Sequence, residues 1–328
     1  MKIRIIILLL LTFSNFLTEA QNSNSSPLAS TYSIVARDSI TGEMGIAVQS
    51  HAFSVGSIVG WGEAGIGVVA TQSFVNRAYG LEGLRLLKAG KTPADVIKIL
   101  TDADSARDVR QLAALDMQGR TASYTGKKCI PAAGNISGKN FSVQANLMLN
   151  ETVCPAMAKA FEETKGPLAE RMIAALEAAQ NEGGDIRGMQ SASLLIVNPV
   201  ATGRIWEDKP IDLRVEDNVQ PIVELKRLLN LYRAYEHSNL GDLAVEKNDL
   251  TLAEKEYGIA EKMLPADSEM KFWHAVSLVN KGKTEDALPL FKKVFAMDTN
   301  WKILIPRLRK VELLICNDET EMKILNLK

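Results

Sequence analysis

One residue of this 328-residue chain combines a nucleophile with a route to its own base. Thr31 carries a hydroxyl. As the first residue of a processed chain it would also carry an α-amine, with an unperturbed pKa of about 7.7–8.0, suited to take the hydroxyl proton. Such a pair does acyl transfer: the oxygen attacks an amide carbonyl and water clears the resulting ester. The plainer reading makes Thr31 a β-branched residue that opens a strand. Other constellations are weaker. Ser50 and His51 are adjacent on an expected strand, where neighbouring side chains point to opposite faces, so the histidine is badly placed to serve the serine. The three histidines, His51, His237 and His274, and the three cysteines, Cys129, Cys154 and Cys316, are scattered, with no Cys-x-x-Cys or His-Glu-x-x-His spacing. No metal site and no cofactor are expected from them. Gly60-Trp61-Gly62-Glu63-Ala64-Gly65 matches the dinucleotide pattern as text. Residues 66–72 then continue as a strand where a phosphate-binding helix would have to begin, so the run reads as a turn between two buried strands.

The elements that must position Thr31 begin with its own strand. Tyr32, Ile34 and Ala36 fall on one face and Ser33, Val35 and Arg37 on the other. Thr41-Gly42-Glu43 turns the chain into a second run, residues 45–51, which predicts a hairpin. Helices are predicted over residues 79–89, ending at Gly90, and from Thr92-Pro93 to residue 100, with Thr at the cap and Pro in the first turn. Strands are expected at 111–117, 121–124 and 141–149. Two more helices follow, 152–163 and 168–182, spaced by Gly166-Pro167 and closed by Gly183-Gly184, and then strands at 191–198 and 211–215. Strands, two helices, strands, two helices and strands in that order suit a layered α+β domain.

Thr31-Tyr32-Ser33-Ile34-Val35-Ala36-Arg37-Asp38, Gly45-Ile46-Ala47-Val48-Gln49-Ser50-His51, Val69-Ala70-Thr71-Gln72-Ser73, Cys129-Ile130-Pro131, Ser142-Val143-Gln144-Ala145-Asn146 and Gly188-Met189-Gln190-Ser191-Ala192 occur in this order. Together they resemble the family catalogued as domain of unknown function 1028, over about residues 31–217. That family is placed in the Ntn (N-terminal nucleophile) hydrolase superfamily. The resemblance therefore implies a four-layer α/β/β/α sandwich and hydrolysis of a small amide or peptide-like substrate through Thr31. In many members the matching threonine directly follows the initiator Met; here thirty residues precede it, so this mechanism requires a cut between Ser30 and Thr31. The anionic intermediate needs donors aimed at its oxygen. Gln72, Ser73 and Asn146 are the candidates by the motifs they sit in. Arg37 and Asp38 are candidates for tuning the amine, or form a turn-stabilising pair at the strand end. Proteasome-like threonine hydrolases place a Lys soon after the nucleophile, whereas this chain has none between Thr31 and Lys88, which leaves Arg37 or Arg77 to supply positive charge. The competing reading is a non-catalytic exported binding module in which Thr31 stays internal. The state of the Ser30–Thr31 bond separates the two.

The flanks complete the organisation. Met1-Lys2-Ile3-Arg4, the apolar run from Ile5 to Leu11 and Thr18-Glu19-Ala20 read as a secretory signal peptide over residues 1–20, so a periplasmic or secreted protein with no retained membrane span is expected. Residues 21–30 are a polar, Asn/Ser-rich leader or pro-peptide with no core-forming pattern. Three cysteines make no disulfide framework; Cys129 and Cys154 would pair only if folded close together, and buried free thiols are the plainer expectation. A formal net charge of −1 gives no reason to expect nucleic acid as a partner. From residue 218 to 328 the chain becomes charged amphipathic helix. Asn248 and Gly282, Ala253 and Ala287, Tyr257 and Phe291, and Met263 and Met297 are each 34 residues apart, the period of a tetratricopeptide-type hairpin. Two imperfect units fall short of an independent solenoid. The tail is expected to dock on something else: as a plain helical cap, through a protein or peptide partner, or on a second copy in a homo-oligomer. Trp273 and His274 fit packing roles within it.

Overall fold

The structure, a computed structural model, describes residues 28–327. The expected signal peptide and residues 21–27 of the expected leader lie outside the described residues. In chain order the first two thirds hold β1 (Leu28–Ala29), β2 (Thr31–Arg37), β3 (Met44–Ser50), β4 (Gly60–Glu63), β5 (Gly67–Phe74), α1 (Ala78–Lys88), α2 (Pro93–Asp102), β6 (Arg110–Asp116), β7 (Thr121–Thr125), β8 (Gly134–Gly138), β9 (Phe141–Ala145), α3 (Val153–Glu163), α4 (Leu168–Asn181), β10 (Ser191–Val197) and β11 (Ile211–Val215). Helices follow: α5 (Pro221–Glu246), α6 (Leu250–Met263), α7 (Ser268–Asn280), α8 (Thr284–Met297), α9 (Asn300–Lys310) and α10 (Asp318–Leu325).

The strands form two antiparallel sheets. One runs β1-β5-β6-β7, with β4 also on β5; the other runs β11-β10-β3-β2-β9-β8. Period-two alternation assigns each strand face to a different neighbour. Val35 of β2, Ile46 and Val48 of β3, Val68 and Ala70 of β5 and Leu115 of β6 meet between the sheets. Tyr32, Ile34 and Ala36 turn the other way, onto Met157 and Phe161 of α3 and Met172 and Leu176 of α4. On the far side of the other sheet, Val69 and Leu112 pack with Leu84 and Leu87 of α1 and Val96 and Leu100 of α2. Both faces of each sheet are thus covered, which is why these strands carry few exposed apolar side chains. The cap expected at Thr92 is present as a reciprocal box: Thr92 Oγ1 accepts from the Asp95 amide, and the Asp95 carboxylate accepts from the Thr92 amide.

Three local differences from the sequence reading have clear causes. Gly60–Glu63 is itself a strand paired with β5, so the turn is confined to residues 64–66. The strand expected over 141–149 stops at Ala145, because Leu147 takes a left-handed backbone (φ 58°) and Met148 bridges to Asp185. The edge strand β8 lacks the apolar alternation that marks a strand.

The α1–β4 contact rests on a missing side chain. A Cβ on Gly80 of α1 would lie 2.2 Å from the ring of Trp61, whose indole N–H donates to the Ile58 carbonyl at 3.2 Å. Gly80→Ala gains helix propensity of roughly 1 kcal/mol, but the ring must move and lose its partner. We expect a net destabilisation of about 1–3 kcal/mol, read as a lower urea midpoint, with Leu81→Ala on the exposed side of α1 as the neutral control.

The C-terminal part is helical. α6 and α8 begin 34 residues apart, at Leu250 and Thr284, and both Ala253/Ala287 and Tyr257/Phe291 are buried at matching positions. The start of α5 belongs to the α/β part: Ile222, Leu225 and Leu229 join the core beneath α4. Among the described residues no helix is long and apolar enough to cross a membrane.

Candidate functional site

The neighbourhood of Thr31 is built where three strands of one sheet end together. Thr31 pairs with Ser50 of β3, and Ser50 with Ser191 of β10. Ala29, Ser30, Thr31 and Ser50 are all fully enclosed. Within this enclosure the carbonyl oxygen of Ser30 receives two donors: Ser50 Oγ at 2.6 Å and Arg187 Nη2 at 3.1 Å. The Thr31 hydroxyl donates to the Ala29 carbonyl at 2.5 Å. The peptide unit that precedes Thr31 is therefore polarised by a hydroxyl and a guanidinium, with a hydroxyl of its own residue at hand.

Arg187 is aimed by Asp185. The carboxylate takes Arg187 Nε on Oδ1 at 3.0 Å and Nη2 on Oδ2 at 2.7 Å, the bidentate fork that guanidinium and carboxylate form best. Asp185 is itself fixed by the Arg187 amide at 2.9 Å and the His51 amide at 3.3 Å, and its side chain has no solvent exposure. The turn that holds the pair closes with the Gly188 amide on the Asp185 carbonyl at 2.8 Å. Burial and the nearby Asp185 charge push the Tyr32 hydroxyl well above the usual phenol range. It stays protonated and donates to Gln180 Oε1 at 2.9 Å behind the site.

A second polar layer lies between the sheets. Gln72 Nε2 donates to the Thr31 carbonyl at 3.3 Å and to Gln111 Oε1 at 2.7 Å, while Ser33 Oγ donates to Gln72 Oε1 at 2.6 Å. Asn146 offers its side-chain amide to Gln111 Oε1 at 2.8 Å and its backbone amide to the Thr31 carbonyl at 3.1 Å. Gln72 and Asn146 are thus brought to Thr31 as the sequence suggests, but to the carbonyl after it rather than the one before it. Ser73 is in register with Ala29 across β5 and β1. Ser30 Oγ and Asn146 Oδ1 are buried with no hydrogen-bond partner among the described residues.

Arg37 and Asp38 are not part of this group. They sit at the other end of β2, six residues or about 20 Å along the strand. There Asp38 Oδ1 accepts from the Ile40 and Thr41 amides at 2.7 and 2.9 Å, and Oδ2 lies 3.6 Å from Arg171 Nη1. Asp38 closes the hairpin through these backbone bonds, and its ion pair is with Arg171 rather than with Arg37. Arg77 is exposed at the start of α1. The cation that reaches Thr31's neighbourhood is Arg187, and sequence reasoning missed it together with Asp185. Ser50 had drawn notice only for its histidine neighbour, yet its hydroxyl turns to Ser30 while His51 is exposed. The available signal was Asp185-x-Arg187 directly before the Gly188-to-Ala192 motif.

The three cysteines are free. Cys129 Sγ donates to the Arg110 carbonyl and Cys154 Sγ to that of Gly134, at 3.3 and 3.5 Å. Burial raises all three thiols, and Cys154 is pushed up to about 12. Since the thiolate is the reactive form, iodoacetamide at pH 8 should label the partly exposed Cys316 first and Cys154 only after unfolding, read by peptide mass. No group of three or more His, Cys, Asp or Glu side chains suited to a metal ion occurs among the described residues.

Comparison with known proteins agrees with the shared motifs. The profile of a family of unknown function, DUF1028, matches residues 31–225. Among solved structures the chain is similar to the crystal structure of protein SPO2555 from Silicibacter pomeroyi, described under the same family. The two are 31% identical with a TM-score of 0.56, covering 65% of this chain and 88% of that one. No curated protein matches.

Proposed function

We propose, for a chain that belongs to the family of unknown function DUF1028, that it is an exported N-terminal-nucleophile amidohydrolase whose nucleophile is Thr31. The observation that carries this reading is the pair of donors, Ser50 Oγ and Arg187 Nη2, on the carbonyl oxygen of the residue before Thr31. Donors placed there stabilise the oxyanion formed when a hydroxyl attacks that carbonyl. In the maturation step Thr31 Oγ1 bonds to the Ser30 carbonyl carbon, the Ser30–Thr31 C–N bond breaks, and the hydroxyl proton goes to the freed nitrogen. Water then cleaves the ester, which restores the Thr31 hydroxyl and leaves Ser30 as a carboxylic acid. The freed amine becomes the base for later turnovers. Arg187 supplies the positive charge that other threonine hydrolases take from a lysine, and a cation nearby favours the neutral, proton-accepting amine.

The reading is supported by the arrangement of two facing sheets with a helix pair on the outer face of each, which suits the α/β/β/α sandwich of the Ntn hydrolases. The helical tail is then a tetratricopeptide-like module seated on this domain through the first turns of α5. One observation favours the binding-module alternative: the uncut Ala29-Ser30-Thr31 segment is completely enclosed and paired on both sides. Intact mass and amino-terminal sequence of the protein taken from its exported compartment separate the two. A chain that begins at Thr31 supports the hydrolase. One that begins at Gln21 and stays so rules it out.

A further inference from the structure

Resting on the reading of Thr31 as nucleophile, we infer that Leu28–Ser30 occupies the acyl side of the substrate site. The substrate class that follows is an extended peptide with small, uncharged residues at the two positions before the bond that is cut. Three observations carry this. First, the segment before Thr31 is held as a strand: β1 pairs antiparallel with β5, Ala29 opposite Ser73 and Leu28 opposite Phe74, while β4 covers only Gly67–Ala70 of the same edge. Once the leader leaves, Ser73 and Phe74 present an unpaired strand edge, the surface to which an extended peptide adds by backbone hydrogen bonds.

Second, the two side-chain positions are closed and small. Ala29 has no exposure and packs into the inter-sheet cluster with Val55, Ile58, Val59 and Val75. That site accepts a methyl group and has no room for a ring. Ser30 is equally enclosed, and its hydroxyl finds no partner among the described residues. Arg187 and Ser50 are spent on the Ser30 carbonyl and leave the side chain without a partner, so alanine or glycine serves there as well as serine.

Third, the carbonyl that must be attacked is already held. A peptide lying where β1 lies places its last carbonyl oxygen on Ser50 Oγ and Arg187 Nη2. Its acyl carbon then bonds to Thr31 Oγ1 as its C–N bond breaks. The hydroxyl proton passes by way of the α-amine to the leaving amine. Water cleaves the ester, returns a hydrogen to Oγ1 and releases the peptide acid. That acid, ionised, forms an ion pair with Arg187, which the neutral amide does not. Acids of the matching sequence are therefore competitive inhibitors.

The test uses the purified full chain after maturation, with its amino terminus read on the same preparation. N-acetyl-Leu-Ala-Ser-anilide is compared with N-acetyl-Leu-Ala-Phe-anilide and N-acetyl-Leu-Phe-Ser-anilide, and N-acetyl-Leu-Ala-Ser acid is added as an inhibitor. The Ala-Ser substrate should exceed both Phe substrates in kcat/KM by at least about tenfold, and the acid should raise KM without lowering kcat. A chain that starts at Thr31 and cleaves the Phe substrates equally well or better overturns the inference and leaves the nucleophile reading standing. A chain that keeps Ser30 attached and cleaves none of them removes both.

Discussion

Thr31→Ala should leave the Ser30–Thr31 bond intact where the proposed mechanism has the wild-type chain lose every residue up to Ser30: this is the largest effect expected of any single substitution in the molecule. The hydroxyl is the only group on residue 31 that can form the ester, and removing a nucleophile lowers turnover by at least about 10⁴-fold. The fold survives, because alanine keeps the backbone pairing with Ser50 and loses one hydrogen bond to the Ala29 carbonyl, worth about 0.5–1.5 kcal/mol. Intact mass and the urea midpoint, measured together, separate lost chemistry from lost structure. Thr31→Ser should still mature, since it differs by one methyl group. On the proposed mechanism the working base of the matured chain is the neutral amine. The rate therefore rises with pH and levels off above the pKa of that amine. With Arg187 favouring the neutral form, the limb lies at or below the about 7.7–8.0 of an unperturbed α-amine. A rate that falls across this range would exclude the amine as base.

The parts of this arrangement that lie on one strand or one turn were legible in the sequence. Alternation in residues 31–37 separates the face that meets α3 and α4 from the face that meets the other sheet, and the caps and closing glycines of the helices follow local rules. Arg37 and Asp38 show where local reading fails: six residues of extended chain carry them to the other end of β2, so closeness in sequence is distance in space. Arg187 shows the reverse. It lies 157 residues from Ser30 and touches its carbonyl, because β10 lies beside β3 and the turn before β10 comes to the end where β2 begins. An Asp-x-Arg pair in a turn reads, without that pairing, as an ordinary surface ion pair. Gln72 and Asn146 fall between these cases. Their motifs lead to the right strands, but which of two carbonyls they approach depends on the register between sheets.

The second large effect belongs to Arg187 and Asp185, and it discriminates a catalytic from a merely structural pair. Arg187→Met removes the charged donor from the Ser30 carbonyl, and loss of one oxyanion donor lowers kcat by about 10²–10³-fold. Ser50→Ala removes the neutral donor from the same oxygen and should act in the same direction by less, since a bond to a charged group is roughly twice as strong. Because both donors serve one oxygen, the double variant should lose less than the product of the two single losses. Asp185 touches no carbonyl of the candidate site: it acts by aiming Arg187. Asp185→Asn keeps the shape but leaves the guanidinium without its counter-charge, and breaking a buried pair by removing one partner is destabilising by about 3–5 kcal/mol. Arg187 retains 29% exposure and so recovers part of that through water. Arg187→Lys completes the set. Lysine keeps the charge but not the planar fork that binds both carboxylate oxygens at once. If the guanidinium acts by orientation, Lys restores the urea midpoint more fully than it restores kcat. Were Lys to restore maturation and turnover in full, charge alone would be the requirement and the fork to Asp185 would be structural.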